Sequence, residues 1–356
     1  MPESIFHALA DAARRNESIA LGIITGAKGS SPQKLGAKAI FHADRRIQGT
    51  LGGGCLEAEV QRLALQSLRD GQPQTFDLVL DHDFGWDDGL ICGGKVFGVI
   101  MPNAQQAGET FWTELAERKS ILTWVVKTDF TFATMTTTTT RAARPALGAR
   151  TAMSARTQAT ELADKAVRAP TSTPPPSDCL YTETITPPCA LWIAGSGHIA
   201  QAVAPLALQL DFAVSVFDDR PELANHEIFP REVSLHVGPW GELCAAPFPG
   251  VPTFGLIVTR GHKHDALVLE TWIHRPFAFL GMIGSPRKAR TISDHFIAKR
   301  IATFEQMQCV ACPVGVRIRS QSVMEIAVDI MAQFIDRRAA LLAEREAASF
   351  GKTRLV

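Results

Sequence analysis

The chain has 356 residues, enough at roughly 150 residues per domain for two domains with cores of their own. Lys plus Arg number 36 and Asp plus Glu number 36, so the formal charge is zero and no basic excess is available to grip a polyphosphate backbone. General nucleic-acid binding is not expected on that ground, and the 46% hydrophobic and 20% charged content is that of an ordinary globular chain.

In chain order, the start (MPESIFHALADAARRNE) lacks a basic segment followed by an apolar one, so no secretory leader is expected. Residues 5–15 read as a short helix and 18–25 as a buried strand. A Gly-Ser-Ser-Pro turn at 29–32 leads to two strand-like runs, Ala37–Phe41 and Ile47–Leu51, with the composition of a hairpin. Gly52-Gly53-Gly54-Cys55 then opens a helix in which Leu56, Val60, Leu63 and Leu68 recur on one face. An acidic loop from Asp81 to Asp88 precedes Cys92-Gly93-Gly94 and a strand. A helix at 109–118 and a strand at 121–126 close a first α/β domain, placed at 1–130. The Thr, Ala and Pro-rich stretch 131–187 reads as an inter-domain linker.

From 188 to 356 strands and helices alternate. ALWIAG, FAVSVFD, TFGLIVTRG and AFLGMIG are the strands, and His198–Leu210 is a helix. That alternation implies a Rossmann-like doubly wound parallel sheet, with the N-terminal α/β domain the smaller of the two. Residues 190–210 are uncharged over about the length of a membrane span, but Gly195, Ser196, Gly197 and His198 divide them into strand, turn and helix, so no membrane association is expected. Ser322 and Glu325 form a capping-box pattern ahead of an amphipathic C-terminal helix carrying Ile326, Ile330, Phe334 and Leu341. Seven scattered cysteines make no disulfide framework, which points to reduced thiols and a cytoplasmic location.

The turn Gly195-Ser196-Gly197-His198-Ile199-Ala200 follows a strand and opens a helix, the context of a dinucleotide or phosphate site. Gly195 makes the tight turn. Gly197 lets backbone approach a phosphate, the helix N-terminus supplies N–H groups, and Asp218 at the end of the next strand can accept from ribose hydroxyls. Gly53 and Gly54 form a second anion-receiving nest, with Cys55 at a helix N-terminus where thiolate is favoured. Cys92 with Gly93 mirrors that arrangement, and the two cysteines can converge on one soft metal or sulfur centre; each also reads as a small buried residue under a turn. Arg287, Lys288 and Arg290 after Gly284-Ser285-Pro286 either meet a phosphate or lie on a solvated face. His262 and His264 lack a third ligand, and Asp265 reads as a helix cap. Cys309 and Cys312 read as two incidental cysteines.

These residues resemble the xanthine dehydrogenase accessory proteins of the XdhC/CoxI type. The matching segments are GSSPQKLGAKAIFHADRRIQGTLGGGCLEAEV, LICGGKVFGVI, LWIAGSGHIAQAVAPLALQLDFAVSVFDDRPELA, VTRGHKHD, GMIGSPRKA and PVGVRIRSQSVMEIAVDIMAQFI. The resemblance implies a chaperone rather than an enzyme. Such a protein binds the molybdenum cofactor (molybdopterin) as cargo, shields it while a cysteine desulfurase supplies sulfur, and inserts it into apo-xanthine dehydrogenase. Cys55 and Cys92 would lie near molybdenum or its sulfur, and Gly53, Gly54, Gly93, Gly195, Gly197 and Asp218 would bind the rest of the cofactor. The chain departs from the family at Pro313-Val314-Gly315-Val316 with Arg317 and Arg319, and at Arg260-Gly261. A homodimer through the C-terminal helix is expected. Two alternatives remain: an NAD(P)-dependent oxidoreductase using Gly195, Gly197 and Asp218, and a nucleotide-sensing interaction protein.

Overall fold

The computed structural model describes residues 4–28, 35–80, 94–136 and 178–350. It divides between Pro187 and Pro188 into two compact units.

The N-terminal unit opens with helix α1 (Ile5–Arg15), capped by Ser4, whose hydroxyl accepts from the His7 amide, and ended by Asn16 at φ 50°. Five strands follow: β1 (Ile19–Lys28), β2 (Lys38–His42), β3 (Ile47–Gly49), β4 (Gln74–Leu80) and β5 (Gly94–Pro102). They pair antiparallel in the order β3-β2-β1-β5-β4. Because strand side chains alternate, Ile19, Leu21 and Ile23 of β1 face α1 and α3 (Glu109–Glu117), with Trp112 and Trp124 at the centre of that core. On the opposite face Ala20 packs with Leu56, Val60 and Ala64 of α2 (Gly54–Asp70).

Strands of the N-terminal unit occupy both ends of the stretch 131–187 expected to link the two units. Phe132–Thr136 (β7) and Cys179–Ile185 (β8) flank β6 (Leu122–Lys127) in a three-stranded antiparallel sheet of the N-terminal unit. Threonine is β-branched, and in β8 it alternates with Tyr181 and Ile185, both buried; composition alone placed this segment in the linker. A buried ion pair fixes β8 to the larger sheet. Lys38 Nζ lies 2.7 Å from Glu183, donates to the Gly36 carbonyl, and sits over the rings of Phe6, Trp124 and Tyr181.

The C-terminal unit contains β9 (Cys189–Ala194), α4 (His198–Gln209), β10 (Phe212–Asp218), β11 (Ser234–Val237), α5 (Trp240–Leu243) and β12 (Thr253–Ile257). It continues with α6 (His262–Trp272), β13 (Phe279–Met282), α7 (Pro286–Ala298), α8 (Phe304–Gln308), β14 (Val310–Ala311) and α9 (Val323–Phe350). All strand pairs are parallel, in the order β11-β10-β9-β12-β13-β14. Leu191, Ile193, Val214 and Leu256 pack on α4 and α9 on one face. Trp192, Phe217 and Ile257 pack on Leu269, Trp272 and Phe296 on the other. The sheet is therefore doubly wound. Ser322 and Glu325 cap α9 reciprocally, as their spacing predicts. Among the described residues no helix is long and apolar enough to cross a membrane; residues 190–210 are split between β9 and α4.

Candidate functional site

The strand order reverses between β9 and β12, and loops leaving the carboxyl ends of adjacent strands diverge there to leave a crevice. Gly195 stands at this reversal, directly after β9. Its φ is 114°, and a Cβ built on it would sit 2.4 Å from the Val258 carbonyl oxygen and 3.0 Å from the Thr259 Cα. Only glycine fits both the backbone angle and the approach of the β12 loop.

Gly197 has a different reason for its place. It is the N-cap of α4, at φ −73°, and a Cβ there would meet nothing within 4 Å. Gly261 is the N-cap of α6, also with nothing within 4 Å. Neither helix has a side-chain cap. The first-turn N–H groups of a helix have no intrahelical partner, so these two termini offer donors and positive potential to an anion. The third terminus differs: Ser285 caps α7 by accepting from the Lys288 amide.

Asp218 does not present a ribose acceptor, contrary to the sequence-based expectation. It is fully buried, and its Oδ2 accepts from the Ser196 amide (2.7 Å), the Ser196 hydroxyl (2.8 Å) and Arg220 Nη2 (2.9 Å). Its Oδ1 accepts from the Arg220 amide (3.0 Å) and Nε (2.9 Å). The carboxylate's lone pairs are taken up inside the chain. Its role is to hold the Gly-Ser-Gly turn against the end of β10.

Burial pushes the Asp218 carboxyl up, but the hydrogen bonds from Arg220 and Ser196 outweigh it and hold the group at about 2, below its ordinary 3.8. A carboxyl lowered in the folded state stabilises above its unfolded value and loses that contribution as pH falls through the folded one. The C-terminal unit is therefore expected to lose about 2 kcal/mol between pH ~4 and ~2 through this group. Urea unfolding at stepped pH measures it; a flat midpoint across that window contradicts it.

Two further charge contacts shape the crevice. Arg260 Nη2 reaches Asp219 Oδ2 at 2.9 Å, joining the loops after β12 and β10. Asp265 is buried and is not a helix cap. Its Oδ1 accepts from the Thr259 amide (3.1 Å) and hydroxyl (2.7 Å), and its Oδ2 pairs with Lys288, which also donates to the Ile283 carbonyl. Asp265 is thus a strut between the β12 and β13 loops, and Lys288 is engaged by it. Sequence reasoning missed this strut and the Arg220 clamp, although an arginine two residues beyond a strand-end aspartate is a readable signal for bidentate pairing.

His262 and His264 occupy the first turn of α6, with His264 beside the Trp240 ring. Among the described residues no group of three or more His, Cys, Asp or Glu is arranged to hold a metal ion. Cys309 and Cys312 flank the extended pair Val310–Ala311. Cys309 ends α8 in the helical region and is exposed, whereas Cys312 follows β14 and is half-buried.

In the N-terminal unit Gly52, Gly53 and Gly54 have φ of 120°, 73° and 58°, a run that suits glycine. Half-buried Cys55 follows as the second residue of α2. Glu57 folds back so that its carboxylate accepts from the Leu51 amide (2.9 Å) and the Thr50 hydroxyl (2.8 Å). A negative charge therefore already stands beside this nest. Cys92 and Gly93 lie outside the described residues.

A parallel sheet reversing between β9 and β12, with glycine-capped helices at the reversal, defines a Rossmann-type fold. The XdhC Rossmann domain pattern matches residues 191–334, and the XdhC and CoxI family pattern matches residues 12–79. The chain belongs to the XdhC and CoxI family. It is 23% identical over 333 residues to the uncharacterized protein YqeB of Escherichia coli, covering 93% of this chain but only 46% of that one, so it spans about half of that relative's length. It is 23% identical over 350 residues to a Bacillus subtilis protein that bears the name of a probable xanthine dehydrogenase subunit, covering 94% of this chain and 97% of the other. Its fold is shared with a crystal structure described as a xanthine dehydrogenase from Bacillus halodurans, at TM-score 0.71 and 22% identity over 94% and 96% of the two chains.

Proposed function

We propose that this chain is a maturation factor for xanthine dehydrogenase, which binds the molybdenum cofactor as cargo, shelters it during sulfuration by a cysteine desulfurase, and passes it to the apoenzyme. The observation that carries the reading is the pair of uncapped helix N-termini at Gly197 and Gly261. They suit the phosphate end of molybdopterin, which needs donors and positive potential rather than a ribose acceptor. Family membership and the relative named for xanthine dehydrogenase support the direction of delivery.

Residues of this chain divide the work. Asp218 and Arg220 fix the turn, Gly195 seats it against β12, and the amides following Gly197 and Gly261 take the phosphate. Cys55 and Cys92 supply soft thiolates to molybdenum or its sulfur, and Gly53, Gly54 and Gly93 keep backbone close to the cargo. A homodimer is part of the reading. Val328, Ile335 and Leu342 of α9 recur every seven residues with 47%, 38% and 38% exposure, an apolar stripe of the kind that pairs helices.

The oxidoreductase alternative is less well supported, because the Asp218 oxygens that would read a nicotinamide dinucleotide's ribose are engaged by Ser196 and Arg220. The test is anaerobic purification from cells that make the cofactor, with molybdenum and released pterin assayed together. Near-stoichiometric pterin that is lost in the Cys55→Ala, Cys92→Ala double variant is expected. Pterin retained by that variant removes the cysteines from the site, and tight NADH binding with hydride transfer favours the alternative.

A further inference from the structure

Among the described residues, most arginines of the N-terminal unit are committed. Arg14, Arg15, Arg46 and Arg62 each pair with a carboxylate, and Arg118 donates to the Thr186 carbonyl. The guanidinium groups of Arg45 and Arg69 have no such partner among the described residues. Both line one cavity of about 330 Å³, together with Ser18, Ala43, Leu65 and Leu68.

Arg45 sits in the turn between β2 and β3 at φ 72°, a region that L side chains rarely adopt. The turn is pinned on both sides of that residue: the Arg45 amide donates to the His42 carbonyl (3.0 Å), and Gln61 Nε2 donates to the Arg45 carbonyl (2.8 Å). Arg69 comes from the last turn of α2. Nearby acids do not neutralise the pair. Asp44 is held by Arg46, Glu17 by His42 and Arg15, and Asp70 does not line the cavity. Ser18 donates its proton to Asn103, so the arginines are the cavity's charged donors.

We propose that this cavity binds a small organic anion, with a phosphate or carboxylate head between Arg45 and Arg69 and an apolar body on Leu65 and Leu68. Two guanidinium groups converging on one oxyanion make strong charge-assisted hydrogen bonds. The volume lies at the lower end of small-molecule sites, with room for an organic body beyond a bare ion. None of its lining residues belongs to the turn at 52–55 or to the C-terminal unit, so the site stands whether or not the cargo reading does.

The test titrates the full chain, methyl-labelled at leucine, first with phenyl phosphate and separately with inorganic phosphate. Saturable shifts at Leu65 and Leu68 are expected, with phenyl phosphate roughly tenfold tighter because its ring covers apolar surface. Arg45→Gln and Arg69→Gln, both at exposed positions, are each expected to weaken binding about tenfold while leaving the remaining methyl spectrum in place. Leu65 and Leu68 signals that stay still, shifts confined to the C-terminal unit, or equal affinity in the Arg45→Gln, Arg69→Gln double variant overturn the proposal. Equal affinity for the two probes overturns its organic part.

Discussion

Gly195→Ala is expected to cost the C-terminal unit about 3–5 kcal/mol, from forcing an L residue to an unfavourable φ and from overpacking against backbone. The two penalties are visible separately: φ is 114°, and the new methyl would meet the Val258 carbonyl at 2.4 Å. Backbone at the end of β12 cannot swing aside as a flexible side chain would, because Val258 donates back to the Ala194 carbonyl at 2.8 Å. For a unit of this size the loss corresponds to a fall in Tm of roughly 10 °C or more. Gly197→Ala, two positions on, is the control. Nothing stands within 4 Å of its Cβ, so the cost is expected at about 1 kcal/mol or less. Equal destabilisation by the two substitutions, followed by calorimetry, contradicts the distinct roles assigned to these glycines.

Asp218→Asn carries the second large effect. It removes the charge that answers Arg220 and sets an amide against donors on every side, namely the Ser196 amide and hydroxyl and the Arg220 guanidinium. Breaking a buried ion pair from one side costs about 3 kcal/mol or more, since the remaining partner loses its compensation. The same substitution is expected to abolish the acid-limb loss between pH ~4 and ~2, because the titrating group is gone. A variant as stable as the wild type at pH 7, by urea midpoint, shows that the clamp contributes little.

The parallel sheet was legible because β9, β10, β12 and β13 are short apolar runs, each ended by glycine or a polar cluster, with buried side chains on both faces. β11 was not, since Ser234–Val237 is an edge strand whose side chains are mostly exposed, and β14 is two residues long. β7 and β8 escaped because a threonine-rich strand and a threonine-rich linker share a composition, and it is Trp124 meeting Phe132 of β7 and Tyr181 of β8 that decides between them. At the site, Gly195 and Gly197 were readable because a glycine's permissiveness is a local property. The role of Asp218 was not. Whether a carboxylate faces a ligand or its own chain depends on which donors the fold brings, and here Ser196 arrives from the turn after another strand.

The cargo claim is tested most directly by pterin occupancy in Gly197→Val, purified anaerobically beside the wild type from cells making the cofactor. A side chain there would stand over the α4 amides, and its Cβ would meet nothing within 4 Å. The account predicts near-stoichiometric pterin in the wild type and roughly tenfold less in a variant of comparable Tm. Full occupancy in Gly197→Val, or none in the wild type, contradicts it.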